Sequence, residues 1–180
     1  ELIRQYFSLQ ISSPISSVQD TKSIIRDLLR YGGFKPSGRN KPAWEYLESA
    51  IIKGWFSPEK GINAAVDSCN VVSLHSKLPI SVLDLDKCTP PYSVQICPEQ
   101  TSYPFNPSGQ ILKTDGLIAF CDQSGPCGSP VKDSQRTKTD PSTQRTLSLI
   151  WGHLELASHV DEATNWYLSL LKDLNCTISP

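Results

Sequence analysis

The chain has 180 residues and a nearly balanced charge, with 17 lysines and arginines against 18 aspartates and glutamates and a net charge of −1. This balance excludes a domain that holds a nucleic-acid backbone strongly by charge alone, and it argues against DNA as a partner. No apolar run approaches the length that crosses a bilayer, and the first residues show no secretory signal. We therefore expect no membrane association and a cytoplasmic location. The length suits one domain with a full hydrophobic core, and we predict a single domain over residues 1–180.

The cysteines are scattered and have no histidine at ligand spacing, which argues against a zinc site. A chain with this many core residues does not need a disulfide framework, so we predict buried free thiols. They are Cys69, Cys88, Cys97, Cys121, Cys127 and Cys176. No metal and no organic cofactor is expected.

The first part of the chain is predicted to be mainly helical. The predicted elements are, in order, a strand over 3–11 and helices over 18–31, 42–53 and 63–77. Gly32 and Gly33 provide a C-terminal stop for the first helix, and Pro42 suits the first turn of the second. The third helix carries apolar residues at spacings of three and four.

From residue 78 onward the pattern is typical of strands and loops. Strands are predicted over 80–85, 93–97, 117–121 and 145–151. Residues 122–132 are dense in Gly, Pro and Ser, so they are predicted to form a turn or flexible loop, or a lid. Ser158 and Asp161 resemble a capping box that begins a final helix. Helices followed by strands indicate an α+β domain, with helices packed on a mainly antiparallel sheet.

The junction between the third helix and the following strand is the first candidate site. One face of the helix carries Cys69, Asn70 and Ser73, and Leu78-Pro79 then breaks the helix before the strand begins. Asp67 lies three residues before Asn70, so both side chains can bond to loop backbone or to a ligand amine. Polar residues that face a core usually serve the structure first, and that alternative stays open.

Standard catalytic signatures are absent from the sequence. There is no GxSxG elbow, no glycine-rich phosphate loop and no HExxH pair. The segment PSGRN at 36–40 could cradle an anion with backbone amides and Arg39, or it could be a surface turn. Asp133 and Arg136 belong to a polar run that could equally be a turn before a strand.

Three segments carry a resemblance to a known family. They are VDSCNVVSLHSKLPISVLDLDK at 66–87, FKPSGRNKP at 34–42 and DSQRTKTDPSTQRTLSLIWG at 133–152. In this order and spacing they resemble the B3/B4 module of the bacterial phenylalanyl-tRNA synthetase beta subunit, and more closely its freestanding relatives. The resemblance spans residues 34–152 and implies the B3/B4 fold, with a cleft between the third helix, the 34–42 loop and the Asp133 segment.

The synthetase module hydrolyses the ester of tyrosine wrongly attached to phenylalanine tRNA. The family's pocket has a Thr-Asn pair, then a proline and a histidine two residues after it, and these positions align with Cys69 and Asn70, Pro79 and Ser81. A pocket glutamate of the synthetase falls near Gln135. Three positions therefore depart from the pattern, and the groups that best orient water or recognise a phenol are missing.

Two hypotheses follow from the resemblance. In the first, the protein binds the aminoacyl 3′ end of tRNA and hydrolyses a wrongly attached amino acid, whereas in the second it is a non-catalytic module that binds a free amino acid, a small molecule or tRNA. The predicted catalytic residues are Asn70, Ser81 and Gln135, and the predicted substrate-binding residues are Arg39, Asp67, Cys69, Ser73, Pro79, Asp133 and Arg136. Basic residues that ring one cleft would favour an RNA end, and scattered ones would favour a small molecule. The relevant residues are Lys35, Arg39, Arg136 and Lys138.

Overall fold

A computed structural model describes residues 3–57 and 61–179. Over these residues the α-helices are α1 (Thr21–Arg30), α2 (Ala43–Ile52), α3 (Ala64–Ser76) and α4 (Ala157–Asp173). The strands are β1 (Ile80–Asp84), β2 (Ser93–Ile96), β3 (Ser102–Pro104), β4 (Ile111–Lys113), β5 (Ile118–Asp122), β6 (Gly125–Gly128) and β7 (Thr146–Ile150). The α+β prediction is confirmed.

The strands pair antiparallel in three small sheets. β1 pairs with β7, β5 lies between β2 and β6, and β3 pairs with β4. The β1–β7 pair places Ser81 opposite Leu149, and an isolated bridge joins Leu83 to Lys138. Because β1 and β7 are far apart in the chain, their pairing brings the segment between them back over β1.

Helix α3 lies at the centre of the fold. Asn63 caps it by accepting a hydrogen bond from the Val66 N–H at 2.9 Å. Its buried residues occur on most of its circumference, which is typical of a helix enclosed by other elements. They are Ser68, Cys69, Val71, Val72, Ser73, Leu74 and Ser76. The helix packs between α2 and α4 and against β1.

Strand β1 is buried on both faces. Ile80 and Val82 belong to the main core, together with Leu29 of α1. Leu83 belongs to a second apolar cluster, in which it packs with Phe120 and Trp151. Any polar group on this strand is therefore shielded from water and must find its partners within the protein.

Several predictions of local structure were wrong. The N-terminal strand is instead a short 3₁₀ helix, Arg4–Phe7, which buries Phe7. The stretch predicted as a loop contains β6, because Gln123 and Ser124 form a tight turn and Gly125 adopts a φ of +104° that favours glycine. The strands β3 and β4, with three residues each, were not predicted.

The structure also corrects the predicted cap of the last helix and one part of the prediction for the cysteines. Helix α4 begins at Ala157, so Ser158 lies inside it and does not cap it. The thiols are free, and those of Cys69, Cys88, Cys97, Cys121 and Cys127 are buried as predicted, whereas Cys176 is partly exposed. In the ranges 3–57 and 61–179, no helix combines the length and apolar character that a membrane crossing requires.

Candidate functional site

Ser81 is the second residue of β1 and is completely buried. Its hydroxyl donates to the Ser129 carbonyl at 3.2 Å and accepts from the Trp151 indole N–H at 2.9 Å. Both partners come from elements that fold back over β1. The Ser81 hydroxyl is thus held in one orientation by groups distant in sequence.

Asp133 lies next to Ser81 and has an unusual acidity. The Ser129 N–H donates to its Oδ1 at 3.0 Å. Burial raises the pKa of Asp133 to about 6, although the Ser81 hydroxyl, the Ser129 N–H and the positive charge of Lys138 oppose this rise. A carboxyl group with this pKa changes charge close to neutral pH, which is a property common in functional sites.

Cys69 of α3 faces the same place from the opposite side. Its thiol contacts the Ile80 carbonyl at 3.5 Å. Burial raises the pKa of Cys69 and the charge of Asp133 raises it further, so the thiol is protonated and poorly nucleophilic. The structure therefore brings together Cys69 of α3, Ser81 of β1 and Asp133 of the segment that follows β6.

Asn70 and Gln135 have side chains with unused hydrogen-bonding capacity. Asn70 is partly exposed on α3, and its side chain makes no hydrogen bond with any residue in the described parts of the chain. Gln135 lies in a short 3₁₀ helix, Gln135–Thr137, and its Oε1 is buried without a partner. A buried acceptor with no donor is costly, so a ligand N–H or O–H that reached it would remove that cost.

The segment that carries Gln135 is anchored to β6. The Ser134 N–H donates to the Cys127 carbonyl at 2.8 Å, and the Thr137 hydroxyl donates to the same oxygen at 3.3 Å. At its far end, Thr139 accepts from the Asn63 side chain at 3.1 Å. The segment is thereby tied to both β6 and the start of α3.

Other predicted site residues have structural partners. The Ser73 hydroxyl donates to the Leu78 carbonyl at 2.6 Å, and the Pro79 carbonyl accepts from the Trp151 backbone N–H at 2.9 Å. Both contacts hold the junction between α3 and β1. Asp67 accepts from the Ile62 backbone N–H at 3.0 Å near the N-terminal end of α3, away from β1.

Arg136 points away from Ser81 and pairs with a buried carboxylate. Its two terminal nitrogens donate to the two oxygens of Asp122, each at 2.8 Å. Burial opposes ionisation of Asp122, but Arg136 and the N–H groups of Thr89 and Ser124 hold its pKa below the usual range. The predicted substrate-binding role of Arg136 stays a prediction, and its guanidinium already has a partner in Asp122.

The same carboxylate belongs to a trio of potential metal ligands. The ligand atoms of Cys88, Asp122 and Cys127 lie within 4.8 Å of one another, and all three residues are buried. Each oxygen of Asp122 already accepts one hydrogen bond from Arg136 and one from a backbone N–H. Burial also raises the pKa of Cys127 to about 12, so its thiol is protonated at neutral pH. These groups are better described as an ion pair beside two thiols than as a metal centre.

Sequence reasoning missed Tyr103 and Lys132. The Tyr103 hydroxyl donates to the Lys132 carbonyl at 2.6 Å and lies 2.9 Å from the Ser129 hydroxyl. The Lys132 ammonium donates to the Arg39 carbonyl at 3.0 Å, which joins the 34–42 loop to the Asp133 segment. No local pattern marked Tyr103, because it lies in a strand of three residues.

Two surface depressions lie apart from Ser81, Asp133 and Gln135. A depression of about 460 Å³ lies beside the start of α1 and Lys77, and a second of about 370 Å³ lies beside Phe7 and Asp67. Neither is lined by Ser81, Asp133 or Gln135.

No family model and no curated protein matches the chain. The likeness to the B3/B4 module thus depends on the three motifs themselves. In the structure of this chain the three motifs lie close together. β1 carries part of the first motif, Lys132 donates to the carbonyl of Arg39 in the second, and Asp133 is the first residue of the third.

Proposed function

We propose that the protein binds the aminoacyl 3′ end of a tRNA in the cytoplasm and hydrolyses a wrongly attached amino acid. In this proposal it is a freestanding relative of the phenylalanyl-tRNA synthetase editing domain. The observation that supports it most directly is the convergence of Cys69, Ser81 and Asp133 from two of the resembling motifs. Ester hydrolysis needs a positioned water and donors for the oxyanion more than a strong nucleophile.

Each polar group has a distinct role in this proposal. Above pH 6 the Asp133 carboxylate is largely ionised, so it can hold the substrate's α-ammonium or accept a proton from the attacking water. Gln135 offers its unpartnered Oε1 to a substrate donor, and Asn70 offers an amide from α3. Ser81 does not attack the ester, because its hydroxyl is completely buried and already engaged with Ser129 and Trp151.

The reaction is a simple hydrolysis. Water adds to the ester carbonyl carbon, and the bond between that carbon and the ribose oxygen breaks. The ribose oxygen takes up a proton, so the products are the free amino acid and the 3′ terminal hydroxyl. No oxidant, metal or second substrate is required for this balance.

The alternative proposal is a binding module without chemistry. It is favoured by the complete burial of Ser81, the position that aligns with the family's histidine, because a buried hydroxyl does not replace an imidazole as a base. Such a module would use Asn70, Asp133 and Gln135 to hold a free amino acid, a related small molecule or the tRNA end.

The test is the loss of ester from a panel of aminoacyl-tRNAs, beginning with tyrosine attached to phenylalanine tRNA. We expect the protein to release the amino acid faster than the spontaneous rate, and Asn70→Ala to slow the enzymatic rate about tenfold or more, equivalent to about 1.4 kcal/mol of barrier. Asn165→Ala, at an exposed asparagine of α4, is the matched control and should keep the full rate. Spontaneous rates across the whole panel would contradict hydrolysis and leave the binding module.

A further inference from the structure

Three positively charged residues gather at the outer end of the candidate site. The Lys132 ammonium lies 4.3 Å from the centre of the Phe105 ring and 4.7 Å from the centre of the Tyr46 ring. The Lys138 ammonium donates to the Phe105 carbonyl at 2.5 Å. The Arg39 carbonyl accepts a hydrogen bond from Lys132, and the charge of Arg39 acts on the Lys132 ammonium, so the three cations lie near one another.

Over residues 3–57 and 61–179, no carboxylate lies within ion-pair distance of Arg39, Lys132 or Lys138, although the charge of Asp133 acts on Lys138 from a longer distance. Other lysines without an ion pair, such as Lys53, Lys77, Lys113 and Lys172, are exposed to water, whereas Lys132 and Lys138 are partly buried. Burial without a carboxylate in ion-pair contact therefore distinguishes these two ammonium groups.

The absence of partners has an electrostatic cost. Burial lowers the pKa of Lys132, and the charges of Arg39 and Lys138 lower it further. Burial also lowers the pKa of Lys138, although the charge of Asp133 acts in the opposite direction. An anion bound among these groups would relieve both the repulsion and the lost solvation.

We propose that Lys132, Lys138 and Arg39 form a binding site for the successive phosphate groups at the end of a single-stranded RNA. The inference rests on the proposed function, which brings such an end to Asp133 and Gln135. Lysine ammonium groups serve phosphates as point charges, and an arginine adds a planar fork of donors. The rings of Phe105 and Tyr46 provide apolar surface beside the phosphate, against which a ribose or base can pack.

A phosphate accounts for this arrangement better than a carboxylate does. Three cations exceed what one carboxylate would need, whereas phosphodiesters in a chain offer successive negative charges. The balanced charge of the whole protein makes the interaction local, so only these residues should contribute to its salt dependence. With about three phosphate contacts, the slope of log K against log salt for a single strand is about −2.

The experiment measures binding of a short fluorescent RNA ending in CCA by anisotropy, over a series of salt concentrations. The RNA carries no amino acid, so ester hydrolysis does not enter the measurement. We expect a Lys132→Gln, Lys138→Gln double variant to bind about tenfold more weakly and to reduce the slope to about −0.7. Glutamine keeps most of each side-chain stem, and thermal unfolding of the variant confirms that it is folded.

The matched control removes two exposed lysines elsewhere, Lys113→Gln and Lys172→Gln, and should keep both affinity and slope. Wild-type affinity and slope in the Lys132, Lys138 variant would overturn the proposal, as would RNA binding by the wild type that does not depend on salt. Normal ester hydrolysis with unaltered RNA binding in that variant would reject this site and keep the proposed function. RNA binding lost in the variant, with no hydrolysis by the wild type, would support the site and reject the hydrolase.

Discussion

Replacing Asp133 by asparagine should remove a pH-dependent part of the protein's stability. In the folded protein burial raises the pKa of Asp133 from 3.8 to about 6. Between these two pH values the unfolded chain has released the proton while the folded protein still holds it, so the free energy of unfolding falls as the pH rises. The fall is about 3 kcal/mol in total and is complete above about pH 6.

Urea unfolding of the wild type and of Asp133→Asn at intervals from pH 4 to pH 8 measures this effect. The asparagine keeps an acceptor for the Ser129 N–H but does not titrate. Carboxyl groups with lowered pKa values, such as Asp84 and Asp122, affect both proteins equally and cancel in the difference. A difference between the two proteins that stays constant across this range would show that Asp133 ionises normally.

Replacing Arg136 by alanine should destabilise the fold, because it leaves the Asp122 carboxylate without its charged partner. The Asp122 side chain is 0 % exposed and that of Arg136 is 36 % exposed. Breaking a fully buried pair costs about 3–5 kcal/mol, and because water screens the exposed part of Arg136 we expect about 2 kcal/mol here. The measurement is the free energy of unfolding in urea at pH 7.

Arg145 is the matched control for this prediction. It pairs with Asp86, but both side chains are well exposed, so Arg145→Ala should leave the stability nearly unchanged. The Arg136→Ala effect should also shrink below the folded pKa of Asp122, because that carboxyl is then neutral and needs no counter-ion. Equal stability of the two arginine variants at pH 7 would contradict a structural role for Arg136.

The pairing of Arg136 with Asp122 separates this residue from the other basic residues of the three motifs. Arg39, Lys138 and Arg136 belong to motifs that resemble the same family, but Arg136 binds Asp122 whereas the other two lie beside Lys132. The basic residues therefore do not all surround one cleft. Arg39 and Lys138 lie near each other, whereas Arg136 does not join them. Lys132, which was not among the predicted site residues, reaches the 34–42 loop with its side chain.

The helices were predictable because their signals act within a few residues. α1, α2 and α3 lie inside their predicted ranges, with Gly33 at a positive φ after the first and Pro42 just before the second. β1 was predictable for the same reason, since Leu78-Pro79 ends α3 and an apolar run follows. Local periodicity and backbone restrictions suffice for such elements.

The strands β3, β4 and β6 were not predicted, because each carries too little pattern, whereas β2, with four residues, was predicted over 93–97. β3 has only Tyr103 buried, and three of the four residues of β6 are Gly or Pro, which are depleted in strands. Both strands exist because neighbouring strands supply their hydrogen bonds. The local sequence does not show these hydrogen bonds between strands. They explain why part of the predicted loop over 122–132 is a strand.

The sequence by itself determined the α+β order of elements, the burial of α3 and β1, and the polar break between them. Only the tertiary structure decided which polar groups meet. The pairing of β1 with β7 places Trp151 against Ser81, and the fold-back after β6 places Asp133 beside the same hydroxyl. The physical reason is range: helix and strand signals arise between neighbours in the chain, whereas a shifted pKa or an unpaired lysine depends on groups brought from far along it.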